Sequence, residues 1–357
     1  MLFKKNKTLL GINIGSGYIK MVEFKDTGSV YTLNNLGIAA LPADVIVDGT
    51  VMNANAIINA ISNLTANLKI KKKRICTSIA GHSVIIKKVT LPLVDENTID
   101  ATIQQEATQH IPYDINDVNL DFQILGPCPD TPDNMEIILV AVKKETINDY
   151  LMLVEEAGFV PVVVDVDTFA LENAYEYNYE DQSREQVVAL VDIGANLTSI
   201  NILDDGVTCF SRNITFGSRL ITEQLQKRFS LSYENAEALK LGCPVNPQIS
   251  AAEAFTAINE AAFSLANEID KAIEFFHNSS LTDNRVEKIV LSGGGAKAPG
   301  ITELIAKSTG IETEIINPFR NIIIPEKKFD LEYIREIAPM AAVAVGLALR
   351  KDEAVGR

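Results

Sequence analysis

Apolar and polar residues alternate along two stretches of the chain in the same order: strand, glycine turn, strand. Alternation with a period of two residues on either side of a tight glycine turn predicts an antiparallel strand pair. In both stretches a third strand-like run and a helical pattern follow. The first copy comprises residues 9–24, 30–40 and 53–68, and the second copy comprises residues 189–203, 207–215 and 217–229.

The two copies indicate an internal duplication. Their turn glycines, Gly15 and Gly194, lie 179 positions apart (194 − 15), which is about half of the 357 residues. A repeat at half the chain length predicts two lobes built on one plan. Because strands alternate with helices in both copies, the expected fold class is α/β.

The first half carries additional residues with their own pattern of strand, helix, strand, strand, helix. We interpret residues 83–158 as an inserted α+β subdomain. Its first helix has an apolar stripe at four-residue spacing, and this stripe needs either its own sheet or a groove for another protein as a partner surface. The stripe consists of Ile99, Ile103, Ala107 and Ile111.

These patterns predict the domain organisation. Residues 1–82 with 159–184 form the first lobe, and residues 185–338 form the second. Residues 339–357 form a C-terminal helix that packs back on the first lobe, and the polar residues 180–185 link the two halves. A long helix over residues 250–279 either packs on the second sheet or forms a coiled-coil seam. Its apolar positions are Phe255, Ile258, Ala262, Leu265, Ile269, Ile273 and Phe276.

Composition and charge narrow the functional classes. Lys and Arg number 32 and Asp and Glu number 47, so the formal net charge is −15. Such a surface repels phosphate backbones, which argues against nucleic acid as a partner. The four cysteines are far apart in sequence, so we expect buried thiols in a reducing compartment rather than disulfides or a zinc site. The longest apolar run, residues 338–349, is too short to span a membrane, which favours a cytoplasmic or peripheral protein.

The first glycine turn contains groups that can hold an anion. Gly15, Ser16 and Gly17 leave their backbone N–H groups and the Ser16 hydroxyl free to surround an anionic oxygen. Lys20, three residues after the turn, can reach back to a phosphate as a point charge. A simple hairpin turn is the alternative interpretation.

Two further elements complete a constellation of glycine-rich sites. The second turn repeats the first with Gly194 and Asn196, and the carboxylate of Asp192 directly before it suits a hydrated Mg2+ ion. Near the C-terminus, a strand leads into Gly293, Gly294 and Gly295, where no side chain obstructs a flat ring. The spacing matches neither a P-loop nor a dinucleotide-binding fingerprint.

This constellation resembles the superfamily of actin, hexokinase and heat-shock chaperones. The similar segments are GSGYIK at residues 15–20 and SGGGAKAPGI at residues 292–301. The resemblance implies a duplicated, ribonuclease-H-like, two-lobed fold with ATP and Mg2+ as ligands of the central cleft. A small-molecule kinase of this superfamily is one functional alternative.

Within that superfamily, the inserted region is similar to the PilM family of type IV pilus assembly proteins, through residues 90–112, 118–125, 137–145 and 155–171. This resemblance implies an ATP-binding cytoplasmic scaffold, held peripherally at the inner membrane. Its expected partner is the cytoplasmic N-terminal peptide of a PilN-like membrane protein, lying in the groove between the insertion and the first lobe with the Ile99 stripe as floor. Further implied contacts are pilus assembly and retraction ATPases, the platform protein and a second copy of the chain.

The superfamily pattern assigns roles to individual residues. It places Gly15, Ser16, Gly17 and Lys20 in the first phosphate loop, and Asp192, Gly194 and Asn196 in the second. Gly293, Gly294 and Gly295 belong to the adenosine loop, and Gly217, Ser218, Glu237 and Lys240 to the ribose and adenine wall. A salt bridge within one helix is the alternative role of Glu237 and Lys240. The pattern also makes Asp192 a metal ligand through water, and Asp165 and Asp167 water-orienting groups.

One position departs from the superfamily. The residue before the first turn is usually acidic there, whereas this chain has Asn13. An amide offers a carbonyl oxygen without charge, so the resemblance here implies nucleotide binding with weak or absent hydrolysis. The FtsA family of cell-division proteins is a second alternative within the superfamily.

Overall fold

Two five-stranded sheets form the framework of the protein in the computed structural model, which describes residues 8–352 apart from 29, 48, 95, 129–130, 132, 181–185 and 280–283. Most of the predicted linker therefore lies outside the described residues. In chain order the strands are β1 (Leu10–Ile14), β2 (Tyr18–Asp26), β3 (Tyr31–Ala40), β4 (Ile46–Val47), β5 (Thr50–Val51), β6 (Arg74–Ile79), β7 (Val84–Pro92), β8 (Val118–Pro127), β9 (Asn134–Lys143), β10 (Val160–Val166), β11 (Val188–Ile193), β12 (Thr198–Asp204), β13 (Val207–Ile214), β14 (Lys288–Ser292) and β15 (Glu312–Ile315).

Nine helices of the described residues cover these sheets. They are α1 (Ala54–Asn67), α2 (Glu96–His110), α3 (Lys144–Glu156), α4 (Asp167–Asn178), α5 (Arg219–Phe229), α6 (Tyr233–Lys240), α7 (Ala251–Ser279), α8 (Ile301–Thr309) and α9 (Leu331–Leu349). Short 3-10 turns follow α2 and β14.

The two large sheets share one topology, which confirms the predicted duplication. The strand order is β3-β2-β1-β6-β10 in the first and β13-β12-β11-β14-β15 in the second. In each, three antiparallel strands are extended by two parallel ones. The register is equivalent as well, because Asn13 lies opposite Lys20 and Asp192 lies opposite Ser199. Both glycine turns therefore point to the same end of their sheets.

A third sheet, of order β7-β9-β8, carries α2 on one face. Ile103 and Ala107 of α2 are buried in one hydrophobic cluster with Leu91, Met135 and Ile137 of the sheet. The apolar stripe of α2 is thus covered by its own sheet. The expectation that this stripe forms the floor of a peptide groove is wrong, because the stripe is already used in the core.

Helix α3 lies within residues 83–158 but packs elsewhere. Its Leu153 and Val154 belong to the same cluster as Ile12 and Ile75 of the first sheet and Ile61 of α1. Since α3 covers the first sheet, removing it would expose that core to water. A variant that lacks the inserted subdomain but keeps the first lobe intact would therefore have to retain α3, which begins at Lys144.

The long helix α7 packs on the second sheet, which is the first of the two predicted alternatives; the other was a coiled-coil seam. Its Ile258, Leu265 and Ile269 share a cluster with Ile200 and Ile289 of that sheet. Phe255 departs from the predicted stripe, because its side chain is 50% exposed. Phe255 lies near the start of the helix, where its ring is close to Gly300.

The last helix, α9, begins at Leu331 and continues through Pro339, so it is longer than the segment predicted from residue 339. It packs against the first sheet and α4 at very short distance. A Cβ atom on Gly11 would lie 2.4 Å from the Ala344 carbonyl oxygen, and one on Gly346 would lie 1.6 Å from the Ala170 carbonyl oxygen. Only glycine permits these approaches.

All four cysteines are free. Cys76 is buried, whereas Cys243 is exposed, which corrects the prediction of four buried thiols. Among the described residues, no helix combines the length and the apolar character that a membrane crossing requires.

Candidate functional site

The glycine turns of both hairpins and the late glycine run meet in a cleft between the two large sheets. The cleft encloses a cavity of about 190 Å³. The structure thus brings together residues from three distant parts of the chain. Predicted site residues on the cavity wall are Asn13, Gly15, Ser16, Gly17, Lys20, Asp167, Asp192, Gly194, Ser218, Glu237, Lys240, Gly293 and Gly294.

Three predicted residues lie beside the wall. The side-chain amide of Asn196 donates to the Ile46 carbonyl oxygen at 3.2 Å and so ties the second turn to the first lobe. A Cβ atom on Gly217 would lie 2.3 Å from the Ala195 carbonyl oxygen. Gly295 is packed against Ile193. These residues shape the loops around the cleft.

Several apolar and aromatic residues of the cavity wall were not predicted from the sequence. Tyr18 directly follows the first turn, and alternation along β2 could have indicated it. Tyr233, Leu241 and Met340 come from α6, its C-terminal end and α9, and no local pattern relates them to a glycine turn. They give the cleft an apolar side next to its charged floor.

The three late glycines differ in what a side chain would meet. Gly293 has φ +85°, and a Cβ atom on it would lie 2.4 Å from the Ile193 carbonyl oxygen. A Cβ atom on Gly295 would lie 2.2 Å from Ile193 Cγ2. At Gly294 the nearest atom is Met340 Cε at 3.8 Å, an ordinary contact distance. Only Gly294 can therefore accept a side chain without disturbing the backbone, and that side chain would enter the cleft.

A hydrogen-bonded network forms the floor of the cleft in the first lobe. The Asn13 amide nitrogen donates to both carboxylate oxygens of Asp167 at 3.2 Å, and the Asn13 amide oxygen accepts from Lys20 Nζ at 2.9 Å. Asn13 is only 2% exposed. Asn13 therefore bridges an ammonium and a carboxylate. In the superfamily an acidic residue usually stands at this position.

Burial changes the protonation of the charged groups on the floor. Desolvation raises the pKa of Asp167 to about 6, and hydrogen bonding to Ser78 opposes the shift while the charge of Asp192 adds to it. Desolvation also raises the pKa of Asp192, against a hydrogen bond from Ser292 Oγ at 2.8 Å. Desolvation lowers the pKa of Lys20, and the charges of Asp192 and Asp167 oppose it. Lys20 thus stabilises the ionised forms of the two carboxyl groups, and the two carboxylates stabilise the protonated form of Lys20.

Asp165 lies outside the cleft. It is the last but one residue of β10, and its carboxylate accepts from Arg350 Nε at 2.7 Å. The expected role of Asp165 in orienting water at the cleft is therefore wrong, because this carboxylate is used in an ion pair with the end of α9. Asp167, where the chain has turned into α4, lines the cleft as expected.

Glu237 and Lys240 form the salt bridge that was predicted as the alternative to a role in nucleotide binding. They form a salt bridge of 2.7 Å within α6, and both line the cleft. Lys240 also donates to Thr222 Oγ1 at 3.0 Å and is 4% exposed. The pair gives the second-lobe wall a fixed shape, because its polar atoms are held by partners within the protein.

A second, larger groove lies between the third sheet, β10, α4 and the end of α9. Its volume is about 1140 Å³. Apolar side chains such as Phe122, Val163 and Phe169 alternate there with charged ones. The acidic lining residues are Asp26, Asp121, Asp165, Glu176, Glu180 and Asp352, and the basic ones are Arg350 and Lys351. The groove therefore has an acidic character, and it is bordered by β10 and β8, each of which is the last strand of its sheet.

The model of a family described as type IV pilus assembly protein PilM matches residues 11–352. This chain belongs to the PilM family. Membership in the family places the protein in type IV pilus assembly and favours this interpretation over the FtsA-like and kinase alternatives.

Solved structures similar to this PilM-family protein agree with the fold. A structure of the PilM-PilN type IV pilus biogenesis complex matches with a TM-score of 0.85 and 28% identity, covering 97% of this chain and 98% of that chain. The ethanolamine utilization protein EutJ from Carboxydothermus hydrogenoformans matches with a TM-score of 0.56 and 17% identity over 96% of this chain and 89% of its own. MreB5 of Spiroplasma citri bound to ADP matches with a TM-score of 0.52 and 12% identity, covering 94% of each chain. The predicted actin-like two-lobed fold is thereby confirmed.

A half-buried carboxyl joins the two lobes of this PilM-family protein. Glu172 of α4 accepts hydrogen bonds from Thr208 Oγ1 at 2.5 Å and from the Asn201 amide at 3.2 Å, both on the second sheet. Desolvation raises the pKa of Glu172 to about 7, against the hydrogen bond from Thr208. The carboxyl is therefore protonated in the folded protein at a pH where it is ionised in the unfolded chain.

We expect the variant Glu172→Gln to stabilise the protein in a pH-dependent way. The favourable contribution of a carboxyl with a raised pKa is complete below its unfolded pKa of about 4.5 and is lost as the pH rises through its folded pKa. The glutamine side chain keeps an acceptor oxygen and carries no charge, so thermal melts at pH 8 should show a gain on the order of 2 kcal/mol. At a pH of about 4.5 the gain should vanish, and the exposed Glu326→Gln should show no such difference. An equal effect at both pH values would contradict the assignment.

Proposed function

We propose that this PilM-family protein is a nucleotide-binding adaptor of the pilus assembly machinery. It binds ATP in the cleft between its lobes and the cytoplasmic tail of a PilN-like inner-membrane protein in the groove beside the third sheet. The observation that carries the first part is the convergence of two glycine turns, a third glycine run and Lys20 on one cavity. Backbone N–H groups of a turn next to an ammonium are suited to bind phosphates.

In this proposal the two turns hold the phosphates. Ser16 and Gly17 supply N–H groups and a hydroxyl from the first lobe. The N–H groups of Gly15 and Gly194 are bonded to the Tyr18 and Leu197 carbonyl oxygens, so these two glycines shape the turns. Asn196 fixes the second turn rather than contacting phosphate, because its amide is bonded to Ile46. The adenosine lies against Gly293 and Gly294, with Ser218, Glu237 and Lys240 on the opposite wall. Gly217 shapes the backbone next to Ser218, and Gly295 shapes the backbone next to Gly294.

Slow ATP turnover follows from Asn13. Its amide occupies both oxygens of Asp167, the carboxylate that would otherwise accept a proton from water. We expect the wild-type protein to turn over ATP slowly or not at all. Asn13→Asp restores the carboxylate that the superfamily places beside the metal ion, and we expect its turnover with Mg2+ to be faster by about tenfold or more. Phosphate release assays test this. A wild-type rate on the order of 10 per second, as in ordinary enzymes, would contradict it.

The groove suits an extended, basic peptide. Peptides commonly bind by adding a strand to an exposed sheet edge, with alternate side chains in pockets, and the edge of β10 lies along this groove. Cytoplasmic tails next to a membrane span are enriched in Lys and Arg, which complements the acidic lining. A chain 28% identical to this protein was solved as a PilM-PilN complex. The tail would hold the protein peripherally at the inner membrane.

Contacts with the pilus assembly and retraction ATPases, with the platform protein and with a second copy of the chain complete the proposal as an adaptor. The direct test is fluorescence anisotropy with a labelled peptide of the N-terminal cytoplasmic residues of the PilN-like protein from the same source. Saturable binding of this peptide, and weaker binding of a scrambled control, is expected. Equal binding of both peptides would contradict the adaptor function.

A further inference from the structure

Equivalent positions in the two lobes carry complementary chemistry at the floor of the cleft. The first-lobe pair of opposed residues is Asn13 and Lys20, and the second-lobe pair is Asp192 and Ser199. An amide with an ammonium on one side thus faces a carboxylate with a hydroxyl on the other. The duplication placed a fixed positive charge in one half and a negative charge in the other.

Lys20 lies directly under the first phosphate turn. A Cβ atom on Gly15 would be 2.9 Å from Lys20 Nζ, so the ammonium fills the space that a side chain at the turn would need. Asn13 is its cross-strand neighbour and holds the ammonium by the hydrogen bond of 2.9 Å. Because neighbouring side chains in an antiparallel pair stand on one face, this position follows from the register of β1 and β2.

The superfamily resemblance implies Mg2+ held through water at Asp192, and the residues present do not fit that ion. Both oxygens of Asp167 accept from Asn13, and Asp192 accepts from Ser292. A Mg2+ ion bound with a nucleotide takes one or two carboxylates beside the phosphate oxygens. Here the carboxylates of Asp167 and Asp192 already accept hydrogen bonds, and an ammonium lies beside them.

We propose that Lys20 replaces the divalent cation in this cleft, so that the protein binds nucleoside di- and triphosphates in their metal-free form. This inference rests on the proposed function of the cleft. The ammonium supplies the positive charge to the phosphates, and Asn13 keeps it in place without adding a competing negative charge. Charge-assisted hydrogen bonds of this kind are roughly twice as strong as those between neutral groups.

The test is calorimetric titration of ATP and of ADP into the full-length protein, once with MgCl2 and once with EDTA. We expect the two affinities to agree within about threefold for each nucleotide. A loss of more than about tenfold in EDTA would overturn the inference while leaving the nucleotide function intact. Absence of binding in both conditions would instead contradict the proposed function of the cleft.

A pair of variants identifies the cation. Lys20→Met keeps the length of the side chain without its charge, and we expect it to lose at least about tenfold in affinity in EDTA. Lys25→Met, an exposed position on the same strand, should bind as the wild type does. Thermal melts confirm that both variants fold. Unchanged affinity of a folded Lys20→Met variant in EDTA would show that Lys20 is not the replacing charge.

Discussion

Replacing Gly294 by glutamine is expected to abolish nucleotide binding in a protein that still folds. Among the three late glycines, this position alone has room for a side chain, and the added atoms would occupy the cleft beside Met340. A group that fills the place of the ligand competes with it directly. Calorimetric titration of ATP should show an affinity weaker by about a hundredfold or more, which corresponds to roughly 3 kcal/mol.

A smaller residue at the same position is the matched control. Gly294→Ala adds a Cβ atom at ordinary contact distance from Met340 and extends no further, so its affinity should stay close to that of the wild type. Thermal melts of both variants should resemble the wild-type melt. If folded Gly294→Gln binds ATP as well as Gly294→Ala does, the glycine run does not face the ligand.

The second large effect is expected from Val164→Lys in the groove. Val164 lies on the edge strand β10, is 39% exposed and lines the groove. Replacing its apolar surface by an ammonium removes a contact for the tail peptide and repels the basic residues that such a tail carries. Peptide anisotropy should show an affinity at least about tenfold weaker, with ATP affinity unchanged.

Val207→Lys provides the control for this experiment. Val207 is 37% exposed at the start of β13 in the second lobe, away from the groove. The same chemical change there should leave peptide affinity as it is in the wild type. Equal losses in both variants would point to a general effect of added charge, and no loss in either would place the tail outside the groove.

Local sequence patterns were sufficient to predict the two hairpins and their glycine turns. Alternation around Gly15 and Gly194 is a property of consecutive residues, and the offset between the two turns required only that the two stretches be compared. The helix over residues 250–279 was predicted almost to its ends because its apolar stripe is long and continuous. Site residues on these turns were therefore accessible from the sequence.

Features that depend on tertiary packing could not be predicted from local sequence patterns. The stripe on α2 predicts an apolar partner surface but does not identify that surface. The stripe packs on its own sheet because of the tertiary structure, which the local pattern does not contain. The ring of Phe255 fits the helical period, yet it is 50% exposed and lies near Gly300. Met340 and Glu172 lie at their sites because α9 and α4 pack between the lobes, which no spacing along the chain reports.

Hydrogen exchange measured by mass spectrometry on the full chain tests the central claim that two ligands occupy two different surfaces. With ATP, exchange is expected to slow in residues 13–20, 192–196 and 293–295. With the tail peptide, it is expected to slow in residues 121–123, 162–165 and 349–352. ATP that binds without protecting any of the three glycine segments, or a peptide that protects those segments instead of the groove, would contradict the account.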